Sequence, residues 1–68
     1  MKTLKEFGKN VRKIRIIKGL SQKQLGAKSS LNHNYIGAVE RGERNLSLKS
    51  IQKIAQGLDV EIYTLFDF

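Results

Sequence analysis

An all-α fold, a compact bundle of five short helices, is what this sequence predicts, and three observations carry the expectation. Apolar residues recur at three- and four-residue steps along successive segments, no segment alternates with period two over a useful length, and start signals of the Ser, Thr or Asn type precede the apolar stripes. The chain has 68 residues, so a single domain is expected across 1–68. A chain of this size buries only about 60% of its unfolded surface and is marginal alone. Without Cys it cannot use a disulfide, and a structural zinc site of the usual kind is set aside. A partner chain is the remaining aid.

In the first segment Leu4, Phe7, Val11, Ile14 and Ile17 keep helical spacing, and Thr3 with Glu6 makes a capping box at its start. Lys5, Lys9 and Lys13 follow one another at i, i+4 steps on another face, a like-charge row that is costly without a polyanion nearby. Gly19 is the expected stop, with Lys18 favourable to the helix dipole. Ser21 and Gln24 form a second capping box, opening a helix to about Ser29 in which Leu25 faces inward and Gly26 admits a close neighbour. Asn32 caps a third helix with Tyr35, Ile36 and Val39 at core spacing, ended by Gly42. Ser47 caps a fourth, with Leu48, Ile51, Ile54, Ala55 and Leu58 inward. A last short turn over about 61–66 carries Ile62, Leu65 and Phe66.

Charge is unevenly divided. The net +7 splits into +8 over residues 1–28, +2 over 29–56 and −3 over 57–68. A basic body with a short acidic, apolar tail favours a polyanion for the body and something else for the tail. No apolar run approaches the ~20 residues of a membrane span, and the N-terminus lacks the apolar core of a signal peptide, so a soluble intracellular protein is expected. No nucleophile–base set, acid pair or phosphate-cradling glycine loop suggests catalysis, and no cofactor or metal is implied.

Two helices joined by a turn of about three to four residues form a helix-turn-helix unit, here over about 21–41. It needs a small residue at the crossing, an unusual backbone at the turn and apolar contacts that lock the pair. Gly26, the Ser30–Leu31 turn, and Leu25, Ile36 and Val39 supply these. The ordered positions Gly19-Leu20-Ser21-Gln22, Leu25, Tyr35-Ile36, Glu40-Arg41-Gly42, Ser47-Leu48, Ile54-Ala55 and Leu65-Phe66 resemble the Cro/phage-repressor, or xenobiotic-response-element, type of helix-turn-helix family across about residues 8–66. Within it, Asn34 through Leu48 is most similar to controller proteins of restriction–modification systems. The chain departs from the family at Gly26 (usually Ala), Ser30 (usually Gly) and Leu46 (Pro in many members).

The resemblance implies a bacterial, phage or plasmid-encoded cytoplasmic regulator that binds double-stranded DNA. It puts base-reading side chains at His33 and Asn34, where Asn can pair with adenine and His can donate to guanine, and at Gly37 and Ala38 one turn on along an exposed face. It puts phosphate contacts at Gln22, Asn32, Tyr35, Arg41, Arg44 and Asn45, and a buried ion pair between Arg15 and Glu40. Lys5, Lys9 and Lys23 are expected to add long-range attraction rather than defined contacts. With no Arg or Lys on the reading face, part of the specificity falls to DNA shape.

The tail over about 57–68 holds more apolar residues than one small core absorbs. Ile62, Tyr63, Phe66 and Phe68 are therefore the expected homodimer interface, although Leu65 and Phe66 could instead close the core. The function expected is a sequence-specific transcriptional regulator acting as a homodimer on a pseudo-palindromic operator. Alternatives are an antitoxin-type DNA-binding protein whose tail holds a partner protein, a small phage or mobile-element repressor, and charge-driven nonspecific nucleic-acid binding.

Overall fold

The computed structural model describes residues 2–68. Four α-helices follow in order, α1 (Lys2–Ile17), α2 (Gln22–Ser29), α3 (His33–Glu40) and α4 (Leu48–Leu58), and a 3-10 helix over Ile62–Phe66 closes the chain. The five-helix, all-α expectation is met, and the described residues include no strand. Phe7, Val11, Leu25, Ile36, Val39, Ile51, Ile54, Ala55, Leu58 and Leu65, drawn from all five elements, make one buried core.

The caps at three helix starts are those read from the residues. Ser21 Oγ accepts from Gln24 N–H at 3.0 Å while Gln24 Oε1 accepts from Ser21 N–H at 2.8 Å. Asn32 Oδ1 accepts from Asn34 N–H at 2.7 Å, and Ser47 Oγ from Ser50 N–H at 3.1 Å. The first start differs. α1 already includes Lys2, so Thr3 lies inside the helix and the Thr3–Glu6 box does not form its N-terminus. Its opening turn is held instead by tertiary packing, Leu4 half-buried and Lys5 pressed on Gly42.

All four α-helices stop the same way, with a left-handed residue whose following N–H reaches back a full turn and a half to the helix. Leu20 N–H donates to Arg15 O, Leu31 to Gly26 O, Glu43 to Ala38 O and Val60 to Ala55 O, at 2.9–3.0 Å. Two of the left-handed positions are Gly19 and Gly42, both at φ 74°, and two are not glycine, Ser30 and Asp59, both at φ 57°. Leu20, Leu31 and Val60, one residue beyond, each pack on the core. That apolar anchor is what holds Ser30 and Asp59 in a conformation costing a non-glycine residue roughly 1–2 kcal/mol. The turn therefore keeps its geometry without the usual glycine.

Close approaches set the helix crossings. A Cβ on Gly26 would stand 2.7 Å from Leu31 O, so the departing chain passes too near α2 even for Ala. A Cβ on Gly8 would collide with the carbonyl oxygens of Val39 and Glu40, which lets α1 lie directly on the end of α3. Asn10, buried in α1, donates through Nδ2 to Thr64 O at 3.0 Å and Leu65 O at 2.9 Å, pinning the 3-10 helix. Phe66 packs on Phe7 with ring centroids 5.0 Å apart and the rings tilted by 43°.

Two apolar residues expected inward are not. Ile17 is 71% exposed and Leu48 81% exposed. Both sit at a helix terminus, beyond the length over which that helix touches the core.

Candidate nucleic-acid interface

α3 presents its first turn to solvent. His33 and Asn34 are exposed, and Asn32 is spent in part on capping through Oδ1. His33, Gly37 and the C-cap residue Arg41 follow at four-residue steps and so form one stripe along α3 and its end, with Asn34 and Ala38 beside it. Ala38 is half-buried. Gly37, expected on an exposed face, is buried instead. The Gln22 amide and the Arg41 guanidinium lie across it; a Cβ there would stand 3.2 Å from Arg41 Nη1 and 3.4 Å from Gln22 Oε1. Gly37 therefore seats the Gln22 and Arg41 side chains and is not itself an exposed edge of α3.

The ion pair implied between Arg15 and Glu40 is present and buried. Arg15 Nε donates to Glu40 Oε2 at 2.6 Å and Nη2 to Oε1 at 3.0 Å, with side chains 11% and 3% exposed. Nη1 donates to Leu20 O at 2.8 Å, tying in the turn before α2. Glu40 has a further partner that the residues did not reveal: Gln22 Nε2 donates to its Oε1 at 3.0 Å. Gln22 is thus half-buried and oriented by α3, leaving its second amide hydrogen and the free N–H groups of the first turn of α2 for an anion.

Tyr35 is half-buried against the core, and the Arg44 guanidinium lies 4.9 Å from its ring centroid. That cation–π contact, worth about 0.5–1 kcal/mol at an exposed site, positions an arginine of the otherwise irregular 43–47 loop. Asn45 is exposed in the same loop. Arg41 pairs with Glu43 at 3.1 Å, both more than half exposed, so a phosphate could displace the carboxylate for less than ~1 kcal/mol. The predicted set is brought together around α3 and both of its ends. Among the described residues no cluster of His, Asp or Glu could hold a metal.

In the tail Leu65 is fully buried, while Ile62, Tyr63, Phe66 and Phe68 are 41%, 75%, 45% and 54% exposed. Leu65 closes the core, and Phe66 packs on Phe7 at its edge while staying 45% exposed. No helix is long and apolar enough to cross a membrane.

Comparison with known proteins agrees with this geometry. The helix-turn-helix family pattern matches residues 11–65. The chain is 44% identical over 63 residues to the control protein C.BamHI of Bacillus amyloliquefaciens, covering 91% of this chain and 78% of that one. It is 44% identical over 56 residues to the control protein C.SmaI of Serratia marcescens, covering 82% and 67%. The crystal structure of the restriction-modification controller protein C.AhdI from Aeromonas hydrophila superposes with a TM-score of 0.95 at 47% identity, over 97% of this chain and all of that one. With α2, the Ser30–Leu31 turn and α3 built as described, the chain belongs to the helix-turn-helix family, a family of DNA-binding regulators and not of enzymes.

Proposed function

We propose that the chain is a homodimeric transcriptional regulator of the restriction–modification controller type, acting in the bacterial cytoplasm on a pseudo-palindromic operator. The observation that carries the reading is an exposed first turn of α3, His33 and Asn34, flanked by Gln22 held on Glu40, Arg41 paired with Glu43 and Arg44 over the Tyr35 ring, which together supply donors for phosphate. α3 enters the major groove; Asn34 pairs with a base edge and His33 donates to a purine acceptor. Asn32, Tyr35 and Asn45 join Gln22, Arg41 and Arg44 on the backbone, and these contacts set register without reading sequence. Ala38 offers a methyl to thymine.

Dimerisation uses the exposed tail residues Ile62, Tyr63, Phe66 and Phe68, related by a two-fold axis that sets two copies of α3 about 34–36 Å apart. The similarity to C.BamHI, C.SmaI and C.AhdI supports control of a restriction–modification system. Selection of duplexes from a random library, followed by sequencing, tests the reading together with sedimentation of the free protein. The expected result is an inverted repeat with half-sites one helical turn apart and a dimer in solution. Recovery of unrelated sequences bound equally well, or a monomer at tens of micromolar, would overturn it.

A further inference from the structure

A cleft of about 530 Å³ separates α1 from the end of α3. Buried Gly37 and Glu40 form its floor, Gln22 and Arg41 border it from the helix-turn-helix unit, and Lys5, Lys9 and Arg12 border it from α1. The three α1 side chains stand at i, i+4 and i+7, one stripe of a helix, and all three are exposed. Glu40 contributes no free charge because Arg15 holds both of its oxygens. Among the described residues Lys5, Lys9 and Arg12 make no ion pair. Glu6 borders an adjoining hollow, where it faces Lys2, Lys5 and Lys9, so cations exceed carboxylates there as well.

The cleft is set by the backbone and not by chance side-chain placement. Gly8 accepts the Val39 and Glu40 carbonyls where any Cβ would collide, and a Cβ on Gly42 would stand 2.7 Å from Lys5 Cα. Two glycines thus hold α1 against α3 so closely that its cationic stripe shares a wall with Arg41. Like charges at i, i+4 oppose each other in the free protein, and an anion is what relieves them. From Lys5 to Arg12 the stripe runs about 10 Å along the helix axis. That is longer than one phosphate group and suits consecutive phosphates of a strand.

We infer that this cleft seats the DNA backbone beside the groove that α3 reads, with Lys9 and Arg12 making defined phosphate contacts rather than diffuse attraction. The inference rests on the function proposed above and extends the footprint from the helix-turn-helix unit to α1. It assigns Gly37 a purpose, since a side chain there would intrude on the same channel.

The test uses the full chain and a duplex recovered by the wild-type protein from a random library. Lys9→Gln with Arg12→Gln is compared with Lys18→Gln plus Lys28→Gln, an equal loss of charge at exposed positions outside the cleft. The cleft variant is expected to lose roughly tenfold in affinity on both selected and random duplexes, and its slope of log K against log salt should fall by about 1 per side chain. Its melting temperature should hold or rise. Methylphosphonate substitution, phosphate by phosphate along the flanking strand, should weaken the wild type at one or two positions and leave the cleft variant indifferent there. Equal losses in the two variants, or no methylphosphonate position distinguishing them, would overturn the inference while leaving the wild-type operator binding intact. Saturable binding of pyrophosphate in the cleft without DNA, at concentrations too low to act through ionic strength, would also overturn it in favour of a small-anion site. Failure of the wild-type protein to select any duplex would instead defeat the function proposed above.

Discussion

Glu40→Ala removes the acceptor that joins three helices. Glu40 loses two charge-assisted bonds from Arg15 and one from Gln22, all within 3.0 Å. What remains is a guanidinium 11% exposed whose only partner is the Leu20 carbonyl. Breaking a buried pair from one side costs about 3–5 kcal/mol, chiefly through the uncompensated charge left behind. A domain of 68 residues has roughly 3–10 kcal/mol in total at ~0.05–0.15 kcal/mol per residue. The variant should therefore be largely unfolded at room temperature, or melt about 15–30 °C below the wild type. Thermal and urea melts followed by far-ultraviolet circular dichroism measure this directly. Arg15→Met combined with Glu40→Leu fills the site with apolar volume and leaves no orphaned charge, so it should recover most of the loss. A Glu40→Ala melting temperature within two or three degrees of the wild type, as an order-of-magnitude bound, would refute the account of the pair as structurally coupled.

Ser30→Gly should raise the melting temperature by about 2–8 °C, since a glycine relieves the left-handed strain at φ 57° at some entropic cost; a lower value would show that Ser30 holds the turn by a contact of its own. Asn10→Ala leaves the Leu65 carbonyl without its donor and the Thr64 carbonyl with only the 3.4 Å bond from Asp67 N–H, and should cost about 1–3 kcal/mol, with faster amide exchange across Ile62–Phe66; unchanged exchange there would mean that Leu65 alone seats the segment. Asn34→Ala should cost ~1–3 kcal/mol on the selected operator and little on random duplex, leaving the fold intact; equal losses on both would remove Asn34 from the reading set.

The parts of the fold that were legible in the residues are those whose cause is local. Ser21 with Gln24, Asn32 and Ser47 bond to backbone two or three residues away, and Gly19 and Gly42 relieve a strain confined to one residue. Such features depend on the chain within a turn of themselves, so spacing reveals them. Leu48 and Ile17 were misread because periodicity says which way a side chain points and not whether anything is there to meet it. Asn10 reads as an ordinary helix residue, and its two acceptors lie 54 and 55 residues further on. Gly8 carries a sequence signal of its own, since it lies in the interior of α1. A glycine in the middle of a helix costs up to ~1 kcal/mol against Ala, and that cost called for a crossing helix to justify it.

The same distinction orders the candidate interface. The exposure of His33 and Asn34 is legible in the sequence because both follow directly on the Asn32 cap, in the first turn of α3. Gln22 could not be fully read, because its orientation comes from Glu40, which is held by Arg15 in a different helix. The phosphate contact proposed for Gln22 is therefore only as rigid as the buried Arg15–Glu40 pair. An ion pair of this kind need not add net stability over an apolar substitute. What an apolar substitute could not do is orient the Gln22 amide, since Leu at position 40 offers no acceptor. The Arg15→Met, Glu40→Leu protein separates the two roles: a recovered fold with weakened DNA binding means the pair is retained for positioning, whereas recovery of both means that the first turn of α2 sets the phosphate contact without it.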